Sequence, residues 1–203
     1  MNTGRMLILS GPSGSGKSTL TAALKQEFPD LYFSISTTTR APRAGEAHGR
    51  EYFFTTQEAF LQDIESDRFL EWAQVHHNYY GTSRTPIEQA LQEGKLVLFD
   101  VDVQGHRNIK KHYPQIAKSI FITTPTDLIL RQRLTARNTD TKEVIESRIQ
   151  HAYDEMLCAD EFDFLIINDN IQKATKQILS IAHSLECASF DTKSLSARWR
   201  SQA

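Results

Sequence analysis

Cysteine is nearly absent, with only Cys158 and Cys187 in 203 residues. Two thiols cannot build a disulfide framework, and each lies in an amphipathic pattern that suits a buried free thiol, so a reducing compartment is expected. Long apolar runs are lacking too. The N-terminal one, Met6-Leu7-Ile8-Leu9, is far too short for a signal peptide or a membrane span, which leads us to expect a cytoplasmic chain with no membrane partner. Neither sign of charge is in excess: 23 Lys+Arg against 25 Asp+Glu give a net −2, so no global basic field points to nucleic acid. The arginines must therefore matter by position. There is no internal repeat and no low-complexity tract, and 39% hydrophobic residues suffice for one core with a small inserted lobe.

What is present begins immediately after that first apolar run. Gly11-Pro12-Ser13-Gly14-Ser15-Gly16-Lys17-Ser18-Thr19 meets the spacing G-x-x-x-x-G-K-[S/T] and opens a helical stretch, Leu20 to Phe28. Glycines can take backbone angles closed to other residues, so successive N–H groups can turn inward around an anion. The helix N-terminus that follows favours negative charge through its unpaired donors and dipole. Lys17 adds a mobile full charge, and Ser18 a hydroxyl of the kind that ligates magnesium beside the β- and γ-phosphates. A glycine-serine linker would not sit between a strand-like run and a helix, so the segment reads as a nucleotide phosphate loop.

A second strand is expected at Leu31 to Ile35, after which core-like periodicity stops. From Ser36 to about Arg84 the pattern predicts a small inserted lobe, with short strands at Tyr52 to Phe54 and Phe69 to Val75 and a helix at Gln57 to Ile64. The core resumes with a helix from Pro86 to Glu93 and a fully apolar strand, Lys95 to Phe99, ended by Asp100 and Asp102. There follow a helix at Gly105 to His112, a strand at Ile120 to Ile122, an arginine-bearing helical region from Asp127 to Cys158 interrupted at Arg137 to Thr141, a strand at Phe164 to Ile167 and a helix from Ile171 to Leu185. The polar tail from Ala188 is expected to be mobile. Five buried strands alternating with helices predict a three-layer α/β fold with a five-stranded parallel sheet and right-handed crossovers, residues 1–35 and 85–203 forming the core and 36–84 the inserted lobe.

The run Thr38-Thr39-Arg40-Ala41-Pro42-Arg43-Ala44-Gly45-Glu46, with Gly49 and Tyr52, resembles the signature of guanylate kinases. Glu71-Trp72-Ala73-Gln74, Asn78-Tyr79-Tyr80-Gly81, Asp100 to Gly105 and Ile167-Asn168-Asp169 resemble that family in the same order, so the likeness spans nearly the whole chain. It implies a P-loop kinase fold with a GMP-binding lobe and a helical lid at about 126–158, acting on ATP and GMP with Mg2+. Monomer and homodimer both stay open.

The residues suit that chemistry. Arg40 and Arg43 set two guanidinium forks beside a turn, a match for phosphate oxygens, with Tyr52 and Tyr80 adding hydroxyls and Glu46 part of the same signature. Guanine offers N1–H and an exocyclic amine beside O6. A carboxylate at Glu71 with hydroxyls at Ser36 and Thr82 complements that edge, whereas adenine's bare N1 would be repelled. The family often has serine where Thr82 stands, and threonine keeps the hydroxyl. Asp100 and Asp102, ending a strand, could organise magnesium water, hold an arginine or touch the acceptor. The resemblance favours Asp102 near the acceptor base and Asp100 in the magnesium and arginine network, indirectly through water.

Arg133, Arg137 and Arg148 match the family's lid arginines, expected to be catalytic together with Lys17. The first two are four apart and share a helix face. Asn138 stands where the family commonly has glycine, and asparagine tolerates left-handed backbone. No catalytic base stands out and none is required, because a monophosphate acceptor with a second pKa near about 6 is already largely ionised. Two other readings fit the residues less well. An interaction module of the same fold typically lacks the intact loop that this chain carries, and a sugar-phosphate kinase needs no base-reading carboxylate.

Overall fold

The computed structural model describes residues 4–43, 45–75, 77–136, 141–188, 196 and 199. Arg137 and Asn138 lie outside the described residues, as does most of the tail. Among the described residues no helix is long and apolar enough to cross a membrane.

Among the described residues nine strands fall into two sheets. The larger holds β1 (Arg5–Ser10), β2 (Tyr32–Phe33), β7 (Leu96–Asp100), β8 (Ala117–Thr123) and β9 (Phe164–Ile167) in the order β2-β7-β1-β8-β9. Every pairing in it is parallel. Side chains alternate across a strand, so the continuous apolar runs feed both faces. Leu7 and Leu9 of β1, with Leu96 and Leu98 of β7, pack against α1 (Lys17–Glu27) and α7 (Ile171–Ala188). Met6, Ile8, Val97 and Phe99 face the other way, onto α3 (Arg84–Gln92) and α4 (Val103–His112). Two helical layers around a parallel sheet are the expected three-layer α/β fold.

One expectation is corrected. The last strand, expected to be buried, is an edge strand: in β9 Ile166 is 1% exposed while Leu165 is 51% and Ile167 47% exposed. Continuous apolarity does not separate a central strand from an edge one, since the deciding neighbour is supplied by topology.

The smaller sheet contains β3 (Thr37–Thr38), β4 (Phe53–Phe54), β5 (Phe69–Val75) and β6 (Asn78–Ser83) in the order β4-β3-β6-β5. Strands β3 and β6 were not anticipated as strands, because Asn78-Tyr79-Tyr80-Gly81-Thr82-Ser83 lacks a clean apolar alternation. Gly81 explains part of that: a Cβ there would press within 2.9 Å of both Phe60 and Phe69. Phe60, from α2 (Gln57–Glu65), stacks on Phe69 with ring centroids 4.3 Å apart and so clamps the helix to the sheet. Leu70 of β5 reaches the apolar cluster under the large sheet, which joins the two sheets through one packed core.

Two further helices, α5 (Asp127–Ala136) and α6 (Lys142–Met156), lie on either side of the interruption predicted near Arg137 to Thr141. Their own cluster of Leu130, Leu134, Ile145 and Ala152 keeps them together.

Candidate active site

Strand order places the site. From the central β1 the chain runs one way in the sheet to β7 and the other way to β8, and the crevice at such a switch lies at the carboxyl ends of the strands. Leu9 pairs with Asp100, and Ser10 with Phe121, so the loop after β1 emerges beside the carboxylate that ends β7. Gly11 and Gly16 carry φ of 130° and 103°, in the region that favours glycine. Space imposes the same choice, because a Cβ on Gly11 would collide with the Ile122 carbonyl oxygen and one on Gly16 with Asn168 Nδ2. The loop runs into the N-terminus of α1, where Ser18 and Thr19 are exposed. Lys17 Nζ donates to the carbonyls of Gly11 (2.5 Å) and Pro12 (3.3 Å), arching back over its own loop.

A cleft of about 360 Å³ opens over this loop, with Lys17, Ser18, Asp100, Asp102 and Glu155 on its walls. Desolvation pushes the Asp100 carboxyl above the ordinary carboxylate range, against the opposing pull of Lys17. Glu155, on α6, is raised the same way by burial, with Lys17 opposing and Asp102 adding to the rise, and its Oε2 is buried without a hydrogen-bond partner. Asp102 caps α4, its Oδ1 accepting from Gly105 N at 2.8 Å.

Among the described residues no group of three or more His, Cys, Asp or Glu is arranged to hold a metal. Magnesium does not require one, since it usually keeps several waters and binds through one or two protein groups plus substrate phosphates. The exposed hydroxyl of Ser18 and the open carboxylate of Asp100 form a donor set of that kind.

The helical pair reaches the loop from the far side. Arg148 Nη1 donates to Ser13 Oγ at 3.1 Å. Arg133 is placed differently from a free lid arginine: Nη2 donates to the Asn168 carbonyl at 2.8 Å and Nη1 to the Ser15 carbonyl at 3.4 Å.

In the small sheet, antiparallel register sets Glu71 opposite Thr82, and Thr82 Oγ1 donates to Glu71 Oε1 at 2.5 Å. Burial raises the Glu71 carboxyl; the Thr82 bond lowers it, Asp102 raises it and Asn108 lowers it by hydrogen bonding. Arg40 Nη2 donates to both Glu46 carboxylate oxygens at 2.9 Å, and Glu46 Oε2 also accepts from Arg43 N at 2.8 Å. The Arg40 guanidinium lies 5.4 Å from the Tyr52 ring centroid, and the Tyr52 and Tyr80 rings are 6.0 Å apart. Burial first, then Tyr80, raises the Tyr52 phenol above its ordinary value.

A sequence model of the family described as guanylate kinase matches residues 3–185. The chain belongs to the guanylate kinase family. It is 54% identical over 201 residues to a guanylate kinase of Wolinella succinogenes, covering 98% of this chain and 94% of that one. With a guanylate kinase of Helicobacter pylori strain HPAG1 it shares 52% over 204 residues, 100% and 98% of the two chains. The crystal structure of guanylate kinase from Anaplasma phagocytophilum superposes with a TM-score of 0.74 at 27% identity, covering 96% of this chain and 94% of that one.

The residues singled out from the guanylate kinase signature therefore gather in two places. Gly11, Ser13, Gly14, Gly16, Lys17, Ser18, Asp100 and Asp102 line the cleft over the Gly11 to Thr19 loop, and Arg148 reaches that loop at Ser13. Arg40, Glu46, Tyr52 and Tyr80 cluster at the 40–46 turn, with Glu71 and Thr82 on the facing strands. Arg43 is exposed beside Glu46, and the backbone carbonyl of Ser36 accepts from Phe53 N at 2.9 Å. The structure adds three neighbours that the sequence reading did not single out: Glu155 on the cleft wall, Asn108 beside Glu71, and Asn168 against the Gly11 to Thr19 loop. The first two sit on helices with no local motif, so only the folded chain reveals them.

Proposed function

We propose that the chain transfers the γ-phosphoryl group of ATP to GMP, giving ADP and GDP. The observation that carries this reading is the presence of two complementary half-sites in one family member: an intact phosphate loop with Lys17, and a half-buried carboxylate, Glu71, bonded to Thr82. ATP phosphates lie in the loop, and GMP in the 36–84 lobe. There the carboxylate meets the two donors of guanine, and Arg40 and Arg43 with Tyr52 and Tyr80 hold the acceptor phosphate. An arriving phosphate competes with Glu46 for Arg40, so Glu46 keeps the guanidinium aimed while the site awaits its ligand.

Ser18, and Asp100 through water, would hold magnesium with the nucleotide, and the ion would supply positive charge to neutralise the phosphates. Lys17 swings from its own loop carbonyls to the β- and γ-phosphates, and Arg148 with Arg137 brings charge from the 126–158 lid as it excludes water. Alignment and neutralisation suffice, since the acceptor oxygen is already ionised. The work is that of a cytoplasmic enzyme of purine nucleotide metabolism. The test is product analysis after incubation with ATP, GMP and magnesium: ADP and GDP forming in equal amounts supports the reading, and GMP-independent ADP release without GDP refutes it.

A further inference from the structure

Asn168 follows β9 directly, is 2% exposed, and is fixed on three sides. Its backbone N–H donates to the Thr123 carbonyl at 2.7 Å, its carbonyl accepts from Arg133 Nη2 at 2.8 Å, and its Nδ2 donates to the Ser15 carbonyl at 2.8 Å. Ser15 is fully buried in the phosphate loop, and Arg133 Nη1 reaches the same carbonyl at 3.4 Å. Two donors far from the loop in sequence thus converge on one peptide oxygen.

In a trans peptide the C=O of one residue and the N–H of the next point in opposite directions. Whatever holds the Ser15 oxygen therefore also aims the Gly16 N–H. Gly16 lines the phosphate cleft, and its φ of 103° leaves the peptide before it free to adopt another orientation. Were that peptide to flip, a carbonyl oxygen would face the phosphate in place of an N–H, turning a donor into a repelling group. The collision that a Cβ on Gly16 would make with Asn168 Nδ2 shows how closely the amide is applied to the loop.

We propose that Asn168, braced by Arg133, is a positioning residue that turns the Ser15 carbonyl away from the phosphate cleft and the Gly16 N–H into it. This assigns Arg133 a part before the transition state, as a strut between α5 and the loop. It also gives the Asn168 Nδ2 group a part in the phosphate half of the site. The inference rests on reading the loop as the ATP site, and it is separable from the identity of the acceptor.

The test is equilibrium binding of ADP, inorganic tripolyphosphate and GMP to wild type, Asn168→Ala and Asn168→Asp, the last having the shape of asparagine but no donor for Ser15. ADP and tripolyphosphate should weaken together, by about ten- to a hundredfold for one lost buried hydrogen bond and a misdirected amide, while the GMP affinity of the folded variants holds. A loss of ADP affinity that spares tripolyphosphate would show that Asn168 touches the nucleoside instead, and a parallel loss of GMP affinity would reduce its part to general folding. Either overturns the proposal, as does unchanged ADP binding. Arg133→Ala removes a half-exposed side chain, so it folds even where the Asn168 variants do not, and it is examined without ligand. Its Gly16 amide resonance should shift and exchange faster with solvent, whereas an unmoved Gly16 amide contradicts the strut. Wild type that binds ADP yet fails to phosphorylate GMP would sink the acceptor assignment alone, leaving these variants to decide the latch.

Discussion

Replacing Glu71 by glutamine separates what this carboxylate does for the acceptor from what it costs the fold. The amide keeps an oxygen for Thr82, now 2.5 Å away, and keeps the volume of the strand pair. It loses the charge, and it turns an NH2 donor towards guanine's own donors. One charge-assisted hydrogen bond lost and one donor opposed by a donor amount to roughly 3–5 kcal/mol, or about 10²- to 10⁴-fold in kcat/KM for GMP. AMP use should change little or improve. The stability effect has the opposite sign. Burial raises the Glu71 carboxyl, so in the window just above its ordinary value the folded state binds more protons than the unfolded one, and stability falls as pH rises through it. At neutral pH the ionised carboxylate therefore costs the ligand-free protein stability, and Glu71→Gln should raise Tm in the absence of GMP. Steady-state kinetics with both monophosphates and thermal melts without ligand make the check. A variant that keeps its GMP preference means the base is read elsewhere, by Ser36, Thr82 or Asp102.

Other outcomes follow from the same geometry. Lys17→Ala should retain the circular dichroism of the wild type and lose nearly all single-turnover transfer, because charge stabilisation at the β- and γ-phosphates is gone; near-normal turnover would remove the loop from the mechanism. Arg148→Ala should lower kcat by roughly a hundredfold while moving the KM for GMP little, and a change confined to KM would make this arginine a binding residue only. His106 is 2% exposed, bonds Ser119 Oγ at 3.1 Å, and has its pKa lowered from 6.5, by burial first and then by Lys110. Below about 6.5 the unfolded chain takes up a proton that the folded imidazole resists, so stability falls with acid. The pH profile of urea unfolding should lose part of that slope in His106→Gln, and identical slopes would contradict it.

The parts of the site that the sequence made legible are those whose meaning is local. Gly11 to Thr19 declares itself because spacing, glycine and lysine all serve one short turn, and the 38–46 run does so because its arginines sit beside their own turn. The pairing of Glu71 with Thr82 needed the family signature, since β6 is too polar to be seen as a strand and only antiparallel register brings the two side chains together. Arg133 shows the limit of spacing. Its place on a helix face was readable, but its partners, Ser15 and Asn168, come from distant segments that meet only when β1 and β9 enter one sheet. The part of Asn168 is hidden for the same reason, since Arg133 and Ser15 are distant from it in sequence. The exposed faces of Leu165 and Ile167 carry the converse lesson, that apolar composition records what a strand could bury and not its rank in the sheet.

The most direct measurement is kcat/KM of the purified chain for a panel of acceptors, GMP, AMP, CMP, UMP and sugar phosphates, with ATP and magnesium, followed by coupled ADP release. A carboxylate that rewards guanine's donors and is left unpaired by adenine predicts a preference for GMP over AMP of ~10⁴-fold or more. Comparable values for GMP and AMP, or a sugar phosphate as the best acceptor, would contradict the account.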